Sequence, residues 1–408
     1  MLTGTTFLSE AVDWYTRFHF KNSLAGINVL ISQMIANRQT FFGRGSLQKL
    51  LPLLQQDPCP TLLFCGRSFL QSPHYTAIST DLNALLIGHE RVTHEASPDE
   101  IDRWVARWRG QVKRVVAIGG GSVLDAAKAF AAVSQSPLNT LHYLEKVGDT
   151  PVSGDTLPVI AVPTTAGTGS EVTQNAVVTD QAVMKVKASL RHANFVPQVA
   201  ILDADLLDGT PDNTLACCAI DAFTHLFEAW LSAKGDRFSR QTALNGMRHF
   251  VQGWPDLNRQ DRRGADAREA MLLASWMGGL SLSMAGLGVI HGIAGELGAI
   301  KAFHHGEVCG RLLLPFLTIL AESDHPQQQA LMAELQLSLF NETHSAPARY
   351  LANWLQEQAV FPLWQHKPAL TADEIDWVLA RANSKNSLID YSPAQQRWML
   401  EQAYNCTA

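Results

Sequence analysis

The chain has 408 residues, 46% of them apolar and only 17% charged, with a formal net charge of −6. That length allows two cores, and a charged share below the usual roughly 25% points to extensive burial, with a subunit interface as one use for it. The acidic balance, with no block of five or six like charges, excludes nucleic acid as a partner, and six cysteines without CxxC or framework spacing read as reduced thiols of a cytoplasmic protein.

Residues 1–38 read as an N-terminal extension, with Trp14, Tyr15, Phe18 and Phe20 on a predicted helix that covers a core face or a partner subunit. The fairly apolar stretch Ser23 to Ala36 is interrupted by Asn28 and Gln33 and preceded by acids, which does not suit a secretory signal. From 39 to 208 short apolar runs alternate with helical patterns. TLLFCG (Thr61 to Gly66), ALLIGH (Ala84 to His89), RVVAIGG (Arg114 to Gly120) and PVIAVPTT (Pro158 to Thr165) read as buried strands, with helices such as Pro98 to Gly110 and Ser122 to Val133 between them. This alternation predicts an α/β domain built on a parallel sheet wrapped on both faces.

Two glycine loops follow strands. Gly119, Gly120, Gly121 and Ser122 sit at a strand-to-helix turn, where backbone N–H groups can approach a pyrophosphate and a helix start favours the anion. The spacing is neither GxGxxG nor GxxxxGK[ST], and a plain tight turn is the competing reading. Asp125 and Lys128, in the first turns of that helix, read alone as solvated surface residues. The second loop, PTTAGTGSE (Pro163 to Glu171), suits either a wall against a ribose or nicotinamide or a polar loop with no ligand.

After Pro211 strand-like runs vanish, and 209–408 reads as an all-helical domain broken at Gly235, Pro255, Gly264, Pro315, Pro347 and Pro362. Met271 to Gly295 carries no formal charge over twenty-five residues, a spanning length, but its six glycines, its serines and His291 suit buried packed helices rather than a membrane. Asp221 and His225 lie four apart in a run without Pro or Gly, so on a helix they share a face. With His291 and His305 they make one carboxylate and three imidazoles. That set suits a divalent first-row metal such as Fe²⁺ or Zn²⁺ and leaves a position open for a substrate oxygen. In a chain with fourteen histidines, satisfied core histidines are the bland alternative.

In this order along the chain, GGGSVLDAAK, PTTAGTGSEVT, IDAFTHLFEAW and the pair His291 and His305–Gly306 resemble the motifs of the iron-containing (group III) alcohol dehydrogenases. The resemblance runs from about Thr40, where TFFGRGSLQKL is similar to the family's opening strand, to at least Pro315. It implies a Rossmann-like dinucleotide-binding α/β domain followed by an all-helical metal domain, reversible hydride transfer between a nicotinamide and a small alcohol or aldehyde, and a homodimer or higher homo-oligomer. Carried over by position, it implies Asp221, His225, His291 and His305 as metal ligands and Gly120, Gly121 and Ser122 as the pyrophosphate turn. Asp125 would lie beside nicotinamide and substrate, and with His291 and His305 would form the reacting centre. Thr164, Thr165 and Thr168 would form the second cofactor loop, with Val177 and Lys187 as further cofactor contacts. A full ligand set makes the metal-free maleylacetate reductases a poor match.

Two departures from the family pattern stand out. Where NAD-preferring members end a strand with an acid, this chain has Gly66 followed by Arg67 and Ser68, which predicts that NADP(H) is used at least as well as NAD(H). Where many members carry a further histidine, this chain has Gly295, which predicts a roomier pocket, with His304 or an ordered water as the substitute group. The competing functions are a dehydroquinate-synthase-like lyase, whose ligand set has a glutamate at the position of Asp221, and a non-catalytic protein that only binds cofactor or metal.

Overall fold

A computed structural model describes residues 33–359 and 361–407. The helix expected around Trp14 to Phe20 lies outside the described residues.

Along the first half run β1 (Gln39–Phe42), α1 (Leu50–Gln56), β2 (Thr61–Gly66), a four-residue helical turn (Arg67–Leu70), α2 (Pro73–Ala84), β3 (Gly88–Val92), α3 (Pro98–Trp108), β4 (Arg114–Gly119), α4 (Gly121–Val133), β5 (Val159–Pro163), β6 (Asn175–Asp180), β7 (Val186–Arg191) and β8 (Val199–Leu202). Six strands form one parallel sheet in the order β1-β8-β5-β4-β2-β3. The sheet is buried on both faces. Leu62, Phe64, Val115 and Ala117 pack against α3 and α4, while Leu63, Cys65, Val116 and Ile118 pack on the other side with Leu50, Leu54 and Leu82. β2, β4 and β5 have no exposed position, which is why their sequences are nearly continuous apolar runs. Helix α3 starts where the sequence predicts, because Ser97 and Glu100 form a reciprocal capping box and Pro98 follows the cap.

The run ALLIGH is not a strand. Helix α2 takes it up to Ala84 and a turn follows, and the edge strand is Gly88–Val92, whose mixed burial is that of a half-exposed edge. The antiparallel pair β6 and β7 was also not expected. It pairs Asn175 with Arg191 through Asp180 with Val186, and its buried residues Ala176, Val178, Ala188 and Leu190 pack on the α4 side of the sheet.

The second half runs α5 (Asp212–Trp230), α6 (Arg237–Gly253), α7 (Arg262–Ala285), α8 (Val289–Ile300), α9 (His305–Ala321), α10 (Pro326–Phe340), α11 (Pro347–Glu357), α12 (Ala372–Leu379) and α13 (Pro393–Ala403). One correction to the all-helical expectation is a small parallel pair, Ala369–Thr371 with Asn405–Thr407. Two expected breaks are also absent. Gly264 receives the Asp261 cap in the first turn of α7, and Pro315 lies inside α9. An interior proline costs about 3 kcal/mol, which the burial of Leu312, Leu313, Phe316 and Leu317 against α5 outweighs.

Helix α5 is buried from Leu215 to Trp230 and is the central helix of this half, with α6, α7 and α9 around it. The uncharged stretch Met271 to Gly295 is divided between α7 and α8, which bend by 102° at Gly286, a residue in a left-handed conformation (φ 73°) that ends α7. Among the described residues no single helix is long and apolar enough to cross a membrane.

Candidate metal and cofactor site

Asp221 and His225 stand one turn apart on α5, His291 is in the first turn of α8, and His305 opens α9. The Nε2 atoms of His225, His291 and His305 lie 3.9, 3.6 and 3.8 Å from Oδ1 of Asp221. One donor atom from each of the four residues falls within 4.8 Å of all the others. Donors about 2.0–2.2 Å from a shared ion stand roughly 3.3–3.6 Å apart in a tetrahedron, so the cluster is close to coordination spacing.

The residues fit a metal on a second ground. Asp221 Oδ1, the atom that faces all three Nε2 atoms, is buried without a hydrogen-bond partner, an expensive arrangement unless something else fills the cluster. Burial drives His225 down to about 4 and His305 down to about 3, so near neutral pH both present lone pairs, the form that binds metal. Burial opposes the Asp221 charge, but the surrounding imidazoles overcome it and hold the carboxyl well below its ordinary range. His291 goes the other way. Burial pulls it down, yet Cys309, Asp221 and Glu228 together hold it well above its ordinary value.

Glu228 is a functional residue that the sequence reading missed. His291 Nδ1 donates to Glu228 Oε2 at 2.6 Å, and Ile290 N donates to Oε1 at 2.6 Å, so the carboxylate fixes both the start of α8 and the ring whose Nε2 faces Asp221. This is the carboxylate–histidine arrangement that orients a ligand and raises its basicity. Its signal was available, since Glu228 lies seven residues after Asp221 and three after His225, on the same helical face. Cys309 was missed too: its buried Sγ lies 3.5 Å from His291 Nε2 and 3.8 Å from His305 Nε2, one turn along α9 from His305.

The two glycine loops face each other across the carboxyl edge of the sheet. Thr164 N donates to Gly119 O at 2.9 Å, and a Cβ on Gly120 or Gly121 would meet Thr165 Oγ1 at 3.2 Å or Thr168 Cγ2 at 2.6 Å. Gly66 ends β2 beside the same turn, its Cβ position 3.6 Å from Val123 Cγ2, with Arg67 and Ser68 exposed after it. The second loop also reaches the metal helix, because a Cβ on Gly167 would meet Cys218 Cα at 3.0 Å.

Asp125 and Lys128 are not solvated surface residues. Lys128 Nζ lies 3.3 Å from Asp125 Oδ1 and donates to Ser170 O at 2.8 Å and Thr173 Oγ1 at 3.1 Å, while Ser170 Oγ donates to Asp125. Burial raises the Asp125 carboxyl and lowers the Lys128 amine, each opposed by the other's charge. Val177 lies on β6 next to this pair. Lys187, on β7, is bound to Glu95 at 2.5 Å, and Glu95 also accepts from Thr179 Oγ1 at 2.6 Å. A Cβ on Gly298 would stand 3.0 Å from Lys187 Cδ, so Lys187 lies against α8, the helix that carries His291. Glu95 had no signal in the sequence. His304 is exposed and lies outside the donor cluster.

The family model described as iron-containing alcohol dehydrogenase matches residues 37–204, and that described as the Fe-containing alcohol dehydrogenase family, C-terminal, matches residues 215–363. A probable alcohol dehydrogenase, EutG of Escherichia coli (strain K12), is 43% identical over 201 residues; the match takes in 49% of this chain and 49% of that protein, so the chain spans about half the length of this relative. The NAD-dependent methanol dehydrogenase of Bacillus methanolicus is 30% identical over 303 residues, 72% of this chain and 77% of that protein. An archaeal halo-thermophilic alcohol dehydrogenase from a Red Sea brine pool superposes with a TM-score of 0.80 at 22% identity, over 91% of this chain and 98% of that one, and so shares the fold. The four-donor cluster, the paired glycine loops and these matches over both halves lead to one conclusion: the chain belongs to the iron-containing alcohol dehydrogenase family.

Proposed function

We propose that the chain is a metal-dependent NAD(P)(H) oxidoreductase that interconverts a small alcohol and its aldehyde or ketone. The observation that carries this reading is the convergence of Asp221, His225, His291 and His305 within 4.8 Å, on helices packed against the loop that faces the glycine turn. Fe²⁺ or Zn²⁺ held by these four residues would supply Lewis acidity toward a substrate oxygen. The chain's own contribution is positional. Gly120, Gly121 and Ser122 offer backbone N–H groups to a pyrophosphate, and Thr164, Thr165 and Thr168 form the opposite wall. Asp125 is held by Lys128 and Ser170 with Val177 beside it, and Lys187 is held by Glu95. The helical half covers the sheet's carboxyl edge and excludes water.

The same reading takes NADP(H) at least as well as NAD(H), because β2 ends in Gly66 rather than a carboxylate and Arg67 follows it, exposed. It takes a roomy substrate pocket, since a Cβ added at Gly295 has nothing within 4 Å. It also takes a cytoplasmic homodimer or larger homo-oligomer, to be checked by light scattering. The lyase alternative loses its support, because both halves match the alcohol dehydrogenase family.

Asp221→Ala or His225→Ala is expected to lose bound metal and turnover with C2 to C8 aldehydes, while NADPH still binds in a fluorescence titration. Undiminished turnover in either variant removes the metal cluster from the reaction. A kcat/KM ratio strongly favouring NADH removes the cofactor preference and leaves the reaction class standing.

A further inference from the structure

The carboxyl ends of β2 and β3 lie side by side in register, Cys65 opposite Arg91 and Gly66 opposite Val92. Adjacent strands are about 4.8 Å apart, so Arg91 starts one strand spacing from the end of β2, within an arginine's reach. Val92 packs into the core on the α3 and α4 side of the sheet. By strand alternation Arg91 therefore projects to the opposite face, the one that carries Cys65 and the Arg67–Leu70 turn. Its charge is felt there: burial pushes the Cys65 thiol up to about 11, and Arg91 works against that rise.

Arg67 and Arg91 are both exposed, and among the described residues neither has a carboxylate within ion-pair distance. The acid next to Arg91 on β3, Glu90, is turned to the other face, where it accepts from Trp108 Nε1 at 2.6 Å and pairs with Arg107 at 3.3 Å. Two guanidiniums that start from neighbouring strand ends and have no counter-carboxylate suit a dianion.

We propose that Arg91 is a second specificity residue for the 2′-phosphate of NADP(H), approaching it from the edge strand while Arg67 and Ser68 approach from the end of β2. This rests on the cofactor reading above. The sheet order supplies the geometry: β4 leads into the glycine turn, β2 is its neighbour and β3 the next strand outward, so a dinucleotide with its pyrophosphate on that turn would bring its adenosine ribose to the ends of β2 and β3. NAD(H) has a hydroxyl where NADP(H) has the phosphate, so Arg91 separates the two.

The test is competition by adenosine 2′,5′-bisphosphate and by 5′-AMP against NADPH on the full-length, metal-loaded protein, followed by nicotinamide fluorescence. Wild type is expected to prefer the bisphosphate. Arg91→Ala should lower that preference about tenfold or more, with Arg91→Lys between the two, as loss of one charge-assisted hydrogen-bond pair to phosphate dictates. A wild-type preference that survives intact in Arg91→Ala overturns the role of Arg91 alone. A wild type that binds both competitors equally overturns the cofactor reading and this proposal with it.

Discussion

The imidazole of His291 is held from behind by Glu228, and this bond fixes the direction in which its Nε2 faces the cluster. Glu228→Ala is expected to lower metal affinity by about 10- to 100-fold, with Glu228→Gln less affected, measured by chelator competition and metal analysis. Equal affinities in all three proteins would show that the ring needs no support. Glu171 sits differently, in the second glycine loop, buried and with Oε1 unpartnered. Burial raises its carboxyl from the ordinary 4.5 up to about 7. The folded protein thus binds this proton more tightly than the unfolded chain. The Glu171 contribution to stability is complete below about pH 4.5 and lost as the pH rises to about 7. In Glu171→Gln this part of the pH dependence should vanish, as read from urea midpoints across that window. Asp221 and His225 were legible in the sequence because one-turn spacing is a local property. Glu95 was not, because only the pairing of β6 with β7 brings Lys187 and Thr179 to it.

Helices meet closely where the site needs them. A Cβ on Gly306 would stand 2.1 Å from Cys217 O and 3.0 Å from Asp221 Cβ, so the start of α9 lies directly on α5. Gly306→Ala must push the two helices apart. It is expected to cost about 1–3 kcal/mol by overpacking and to weaken metal binding with it. Gly295→Ala, with open space around it, should instead gain about 0.5–1 kcal/mol from the better helix former. Thermal unfolding of both variants checks the contrast. The buried strands β2, β4 and β5 were readable because a strand covered on both faces is apolar throughout. The hairpin of β6 and β7 was not, because its turn carries no Asn-Gly or Asp-Gly signal and puts Lys185 at φ 47°. Pro315 misled for a related reason: packing on α5 decided where α9 ends, and local propensity did not.

The four candidate ligands come from three helices more than eighty positions apart at the extremes, Asp221 to His305, so an ion held there would tie the helical half to itself and, through Gly167 on Cys218, to the second glycine loop. A ligand that binds only the folded state adds about 2.7 kcal/mol at a hundred times its Kd. Metal-stripped protein should therefore melt lower, and hydrogen exchange should speed up first at the starts of α8 and α9 while β4 and β5 stay protected. Uniform loss of protection would argue against a local tie. The four corners of the cage are not equally secured. His305 opens α9 directly after a loop, and its side chain is 24% exposed against 3–6% for the other three. The more exposed imidazole of His305 is therefore the corner from which a bound ion would be released. The residence time of a bound metal would then be set by a single loop-to-helix junction, whatever the equilibrium tightness of the cage.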